Sequence, residues 1–342
     1  MRITRRGMLA GATATMAAGR LRPVRAAGPA TLRLSHQFPS AASASEGDFR
    51  DRLCRRFAAE VEKQSGGALR FEIYPGSSLM KTNAQFSAVR KGAIDLSLYP
   101  LNNAGGEAVE LNIALMPALV TSYAQGHAWK AQPVGQALTE FLRSRDVLIL
   151  TWVWQAGGVA GRAKPLVLPE HAKGMKVRGG SREMDMMLQT AGAAVLSLPS
   201  NEIYAALQTG ALDAALTSST SLISFRLEEV AKHLTAGQGR AYWYDLEPLI
   251  MSKRVFDSLP KDQQEILLSV GAALEPFGIE AAKADDVRVA DIFRAAKAEV
   301  HALDGDALRQ WQDIAERTAW KDFADRSEMA AKLLTLARQV TA

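Results

Sequence analysis

Arg178 is the residue with the clearest chemical potential in this 342-residue chain, ending the run Gly174-Met-Lys-Val-Arg178 just ahead of Gly179, Gly180 and Ser181. A guanidinium offers a planar fork of donors that matches a carboxylate bidentately, and neighbouring glycines let a ligand approach the backbone. Arginines at strand ends are commonly solvated surface charges, so the residue alone does not settle a role. No partner for it is visible in the sequence, and its loss is expected to leave ligand-free stability almost unchanged. Thr217 and Ser218, with Ser219 and Thr220 behind them, offer hydroxyls to a ligand or a cap to the next helix. Gln37, Tyr99 and Asn103 stand at other expected strand ends. Trp152, Trp154, Tyr242, Trp243 and Tyr244 form an aromatic set. Aromatics dominate cores generally; if about half of these, with Trp154, Trp243 and Tyr244 as candidates, line a pocket, the ligand has a flat or apolar body.

Other chemistries find little support. There is no Gly-x-Ser-x-Gly elbow, no His-Glu-x-x-His and no P-loop, so no catalytic residue is assigned and the chain is read as a binder and not an enzyme. The five histidines show no zinc spacing, and neither a metal nor a cofactor is expected. Cys54 is the only cysteine, which rules out an intrachain disulfide and points to a buried thiol.

The first 27 residues read as an export signal. Arg5-Arg6 precedes the weakly apolar run Met8–Ala18, and small residues follow at Ala26 and Ala27. Paired arginines point to the twin-arginine route and a periplasmic product. The run is far short of the ~20 apolar residues that span a bilayer. This segment holds six arginines and no acid, so the formal charge of +5 falls to about −1 once it is removed. The case for nucleic-acid binding goes with it.

Strands and helices must then position the candidate residues. Thr31–His36 and Leu69–Tyr74 alternate as half-buried strands. Between them Ser45-x-x-Asp48 reads as a capping box, Phe49, Leu53, Phe57 and Val61 form one helix face, and Gly66-Gly67 ends it. An internal repeat follows: Ala88-Val-Arg-Lys-Gly92-Ala-Ile-Asp95 matches Ala206-Leu-Gln-Thr-Gly210-Ala-Leu-Asp213. In each copy a helix stops at a glycine suited to the left-handed conformation, and an aspartate opens a strand. Strands are also expected at 147–154 and 246–252, a helix near 124–143, and a long helix from Pro260 to about 303, interrupted at Pro276. The order of elements implies two α/β domains joined by crossing strands, a clamshell whose ligand sits beyond the carboxyl ends of its strands. The expected division is 31–154 plus 246–283 for one domain and 155–245 plus 284–342 for the other.

The chain resembles the substrate-binding subunits of tripartite ATP-independent periplasmic (TRAP) transporters, the DctP-like family. The likeness is carried by Phe57-Ala-Ala-Glu-Val-Glu-Lys-Gln-Ser-Gly-Gly67, Tyr74-Pro75, Gly92-Ala-Ile-Asp95, Lys173-Gly-Met-Lys-Val-Arg178, Glu202-Ile-Tyr-Ala-Ala-Leu-Gln-Thr-Gly210 and Leu259-Pro260. It implies a type II-like periplasmic binding protein clamshell with a long interdomain helix. It also implies a small organic carboxylate held by Arg178, and delivery to the small and large membrane permease subunits. Ala214 stands where the family commonly has glycine, and Pro276 interrupts a helix that is usually continuous. Some members place a second arginine near position 158; here it is Gly158, and Arg162 reads as surface. A ligand-sensing adaptor on the same fold, or a periplasmic enzyme, are the alternative functions.

Overall fold

The computed structural model describes residues 29–237 and 240–341. The expected export signal lies outside them. Twelve strands occur among the described residues: β1 (Ala30–His36), β2 (Leu69–Tyr74), β3 (Leu96–Leu98), β4 (Val147–Thr151), β5 (Trp154–Gly161), β6 (Lys176–Arg178), β7 (Ala194–Val195), β8 (Ala214–Ser218), β9 (His233–Ala236), β10 (Tyr244–Leu246), β11 (Leu249–Ser252) and β12 (Glu299–Ala302). They form one sheet in the order β2-β1-β3-β11-β4 and a second in the order β12-β9-β5-β8-β6-β7, with β10 pairing β5. The expected βαβ opening is present, with β1 and β2 parallel and in register from Ala30↔Leu69 to Ser35↔Tyr74.

The helix between them runs Phe49–Gln64, and its cap is Asp48, not Ser45. Asp48 accepts the Arg50 backbone N–H at 2.9 Å and also holds the Arg50 guanidinium, which fixes the helix start one turn later than the Ser45 box suggests. Cys54 is buried on this helix, and burial pushes its thiol well above the usual range. Both halves of the internal repeat form as expected. The helices Thr82–Lys91 and Ile203–Thr209 end at Gly92 (φ 69°) and Gly210 (φ 74°), each in the left-handed conformation.

The chain passes between the sheets three times: from β11 to β12 through helices, and in extended form from β4 to β5 through Trp152-Val153 and from β10 to β11 through Glu247-Pro248. Each extended pair had been expected as one strand, 147–154 and 246–252. The change of sheet interrupts both, and the Glu247 N–H bonds Val153 O at 2.8 Å where the two crossings meet. The helix expected over 124–143 is likewise two, Tyr123–Ala128 and Pro133–Ser144, because Pro133 starts a new first turn. The long helix breaks at Leu274, so that Lys261–Ala273 and Glu275–Ala295 are separate and Pro276 sits harmlessly in the first turn of the second. Glu275 there accepts the Trp152 N–H at 3.0 Å, docking the break against the crossing strand. The C-terminal helices strap the molecule: Trp311 Nε1 donates to Val167 O at 2.8 Å, and Trp320 Nε1 to Pro117 O at 2.7 Å.

Because an L-residue with a Cβ pays about 1–2 kcal/mol in the left-handed region, Gly92→Ala and Gly210→Ala should each lower unfolding free energy by about that amount. Urea unfolding checks this, and unchanged midpoints for both would show that the repeat does not depend on those glycines.

Candidate functional site

The carboxyl ends of strands from both sheets converge. Gln37 follows β1, Asn102 and Asn103 follow β3, Arg178 ends β6, and Thr217 and Ser218 end β8. Together with Trp243, Asp245 and Glu247 they line a narrow cavity of ≈ 20 Å³, space for about one water molecule. A wider cleft of ≈ 470 Å³, lined by Asn83, Ser181 and Asp185 among others, shares Asn102 and Asn103 with it and opens outward. Two hydrogen bonds close the gap between the sides: Asn102 Nδ2 donates to Gly180 O at 2.7 Å, and Ser181 Oγ to Leu115 O at 3.1 Å.

Arg178 is buried, with 6% of its surface exposed. Its Nε donates to Leu198 O at 3.0 Å and its Nη1 to Leu216 O at 2.7 Å. Two backbone carbonyls therefore fix the plane of the guanidinium, and the expectation that Arg178 has no partner in the free protein is corrected. The role expected for the glycines also changes. A Cβ at Gly180 would lie 2.7 Å from Arg178 Nη1, and one at Gly179 would lie 2.4 Å from Asp185 Oδ1. They make room for the arginine and its neighbour, not for a ligand. Among the described residues no carboxylate comes within ion-pairing distance of Arg178, and its Nη2 makes no hydrogen bond. Burial lowers its pKa, opposed by the more distant charges of Asp185, Asp245 and Glu247. A buried guanidinium in this state has donors left on Nη1 and Nη2 that can meet an anion end-on.

A second buried arginine behaves differently. Arg50 holds Asp48 through Nε and Nη2 at 2.9 and 2.7 Å, Glu247 through Nη1 at 3.1 Å, and Ser221 Oγ at 3.0 Å. Burial works against its charge, but Asp48 and Glu247 outweigh burial and hold it protonated. Its donors are spent. Glu247 also accepts from Gln155. Asp245 has no such partner, and its Oδ1 is buried without a hydrogen bond. Burial, and then the charge of Glu247, push the Asp245 carboxyl well above the usual carboxylate range. Burial raises Glu247 as well, but less, because Arg50 lies against it, so of the two carboxyls Asp245 is the one whose protonated form is favoured. Asp185 is pushed up to about 6, chiefly by burial. The cavity thus offers donors in Arg178 and in Trp243 Nε1, which is also buried without a partner, and a further one in Asp245 when it is protonated.

Of the nine residues singled out from sequence, Gln37, Asn103, Arg178, Thr217, Ser218 and Trp243 meet at this cavity. Tyr99, Trp154 and Tyr244 do not line it. Tyr99 stacks on Phe86 at 6.0 Å, while Trp154 and Tyr244 pack edge-on against Trp129 and Tyr123, each at 5.0 Å. Tyr242 is stacked on Trp311 at 5.2 Å. One aromatic of the five, Trp243, faces the cavity, too few to favour an apolar-bodied ligand. Ser218 is shared: its Oγ caps the next helix at Ser221 N and accepts from Arg50. A second arginine has no room at position 158, where a Cβ would meet Thr235 O at 2.5 Å, and Arg162 is exposed beside Gly210. Asn102, Asp245 and Glu247 were missed. The available signal was two acids inside an otherwise apolar run, Ala241–Met251.

Arg178→Ala strips a donor from two carbonyls and should lower ligand-free stability by about 1–3 kcal/mol, with Arg178→Lys restoring only part. Chemical denaturation reads this directly. A wild-type midpoint for the alanine variant would mean that the guanidinium is not anchored by Leu198 and Leu216.

The family model for bacterial extracellular solute-binding protein, family 7, matches residues 41–326. A solute-binding protein of Albidiferax ferrireducens is 63% identical over 308 residues, covering 90% of this chain and 91% of the relative. The C4-dicarboxylate-binding periplasmic protein DctP of Rhodobacter capsulatus is 25% identical over 91% of this chain and 92% of its own. Among solved structures, a TRAP periplasmic solute-binding protein from Rhodoferax ferrireducens with bound malonate superposes with a TM-score of 0.89 at 63% identity, covering 90% of this chain and 98% of that one. These relatives are binding proteins, not enzymes. The chain belongs to family 7 of the bacterial extracellular solute-binding proteins, the TRAP-type binding subunits.

Proposed function

We propose that this protein captures a compact organic carboxylate between two lobes in the periplasm and hands it to the small and large subunits of a TRAP membrane permease. The observation that carries the reading is Arg178: a buried guanidinium, oriented by two backbone carbonyls, with no carboxylate partner of its own among the described residues. A buried charge without a counter-ion is costly, and a ligand carboxylate supplies one. Polar groups from both sides of the cleft surround the spot, which favours a short acid of the kind held by the Rhodoferax relative, malonate. Since ≈ 20 Å³ admits no organic acid, the ligand must enter with the Asn102–Gly180 and Ser181–Leu115 bonds open, and closure follows from contacts that both lobes make with it. The lobes in this reading are 31–154 with 246–283, and 155–245 with 284–342. Export through the twin-arginine route, directed by Arg5 and Arg6, belongs to the same proposal.

Isothermal titration against a panel of short mono- and dicarboxylates tests it. Arg178→Ala should lose about 2–5 kcal/mol of binding, roughly thirty- to several-thousand-fold in Kd, with Arg178→Lys intermediate. Affinity of the alanine variant close to wild type would place the carboxylate elsewhere.

The proton on Asp245 sets the pH behaviour. The groups that bear on it are Glu247, Arg178 and Arg50. While protonated it donates to an anionic ligand; once ionised it repels one. Affinity should therefore fall as pH rises through the elevated Asp245 pKa. Asp245→Asn, neutral at every pH, should retain binding and flatten that profile. An unaltered pH profile in the asparagine variant would exclude Asp245 as the source.

A further inference from the structure

At the opposite end of the second sheet from the cleft, two imidazoles and a carboxylate meet. β12 is the edge strand and runs parallel to β9, with Glu299 opposite His233 and His301 opposite Thr235. Alternation along β12 puts Glu299 and His301 on one face, and His233 joins them there. The cluster lies near the amino end of β9, where β5 brings Gly161 beside His233. Arg178, Thr217 and Ser218 lie at the carboxyl ends of strands parallel to it.

Three ligand atoms form a nearly equilateral triangle. His233 Nδ1 is 3.1 Å from His301 Nε2 and 3.6 Å from Glu299 Oε2, and the third side, His301 Nε2 to Glu299 Oε2, is 3.7 Å. A point in the plane of these atoms lies about 2.0 Å from all three, the bond length zinc makes to imidazole nitrogen and carboxylate oxygen. The triangle's sides are also close to the ~3.3 Å edge of a tetrahedron with such bonds. Without an ion, the two rings can share an N–H···N hydrogen bond; a tautomer shift in one ring frees both lone pairs. The histidine side chains are 15% and 27% exposed and that of Glu299 is 72% exposed, so solvent reaches the position left for a fourth ligand.

We propose that His233, Glu299 and His301 bind a divalent transition-metal ion of the zinc type, clasping the edge strand β12 to β9. Two imidazoles select against calcium and magnesium, which prefer all-oxygen shells. An ion bound to the folded state and not to the separated strands raises thermal stability.

Zinc titrated calorimetrically into the chelator-treated protein provides the test, with magnesium as the comparison ion. The expected result is one site per chain of micromolar affinity or tighter, a rise in melting temperature with zinc, and none with magnesium. His233→Ala and His301→Ala should each weaken zinc binding by about tenfold or more, while His171→Ala, elsewhere on the surface, should not. Glu299→Gln, at the most exposed of the three positions, supplies a variant with little risk to folding and should also weaken it. Zinc affinity in the millimolar range, or binding that survives all three substitutions unchanged, would overturn the proposal.

Discussion

A guanidinium withdrawn from water needs matched acceptors, and the cleft is organised by how its two buried arginines meet that demand. Arg50 meets it internally, with Asp48 gripping one edge and Glu247 the other. Arg178 meets it by halves: two carbonyls hold its plane, and its charge is left without an ionised partner in contact. The acids nearest it are poor counter-ions: burial pushes Asp245 well above the usual carboxylate range, and Asp185 turns its Oδ1 to the Gly179 N–H and makes no ion pair with Arg178. Filling Asp245's role with an ionised acid would neutralise Arg178 in advance and leave nothing for a ligand to gain.

The same residues tie the site to the two extended crossings between the sheets. Arg50 lies in the first turn of a helix packed on the first sheet, yet its guanidinium reaches Ser218 at the end of β8, Ser221 in the helix that follows, and Glu247 on the crossing between β10 and β11. Glu247 in turn is bonded to Val153 through its own N–H, where the other crossing passes. The anchor therefore sits where the two crossings meet, and Arg178 lines the inner cavity beside it.

Much of this was legible in the sequence, for identifiable reasons. Period-two and period-four patterns mark β1, the helix Phe49–Gln64 and β2, and the paired Gly92 and Gly210 mark equivalent left-handed helix ends. Pro276 marks a real helix break, and Arg178 does lie at a convergence of strand ends. Residue type failed where two environments ask for the same chemistry. Tyr99, Trp154 and Tyr244 satisfy a core as well as they would a pocket, and only packing tells them apart. Ser45 and Asp48 are both competent caps, and the bidentate grip on Arg50 decides between them. Glu247 was hidden because its partner, Arg50, is almost two hundred residues away in the chain. The His233–Glu299–His301 cluster escaped spacing rules for the same reason: it is assembled by a parallel strand pair and not by a local motif.

The most direct test of the central claim is a crystal structure of the protein with malonate or another short carboxylate found by titration. The account predicts the ligand in the inner cavity, one carboxylate end-on to Arg178 Nη1 and Nη2 within about 3 Å, the Leu198 and Leu216 bonds retained, and Asp245 within hydrogen-bond distance of a ligand oxygen. A ligand carboxylate seated in the outer cleft, with Arg178 making only its two backbone contacts, would contradict it.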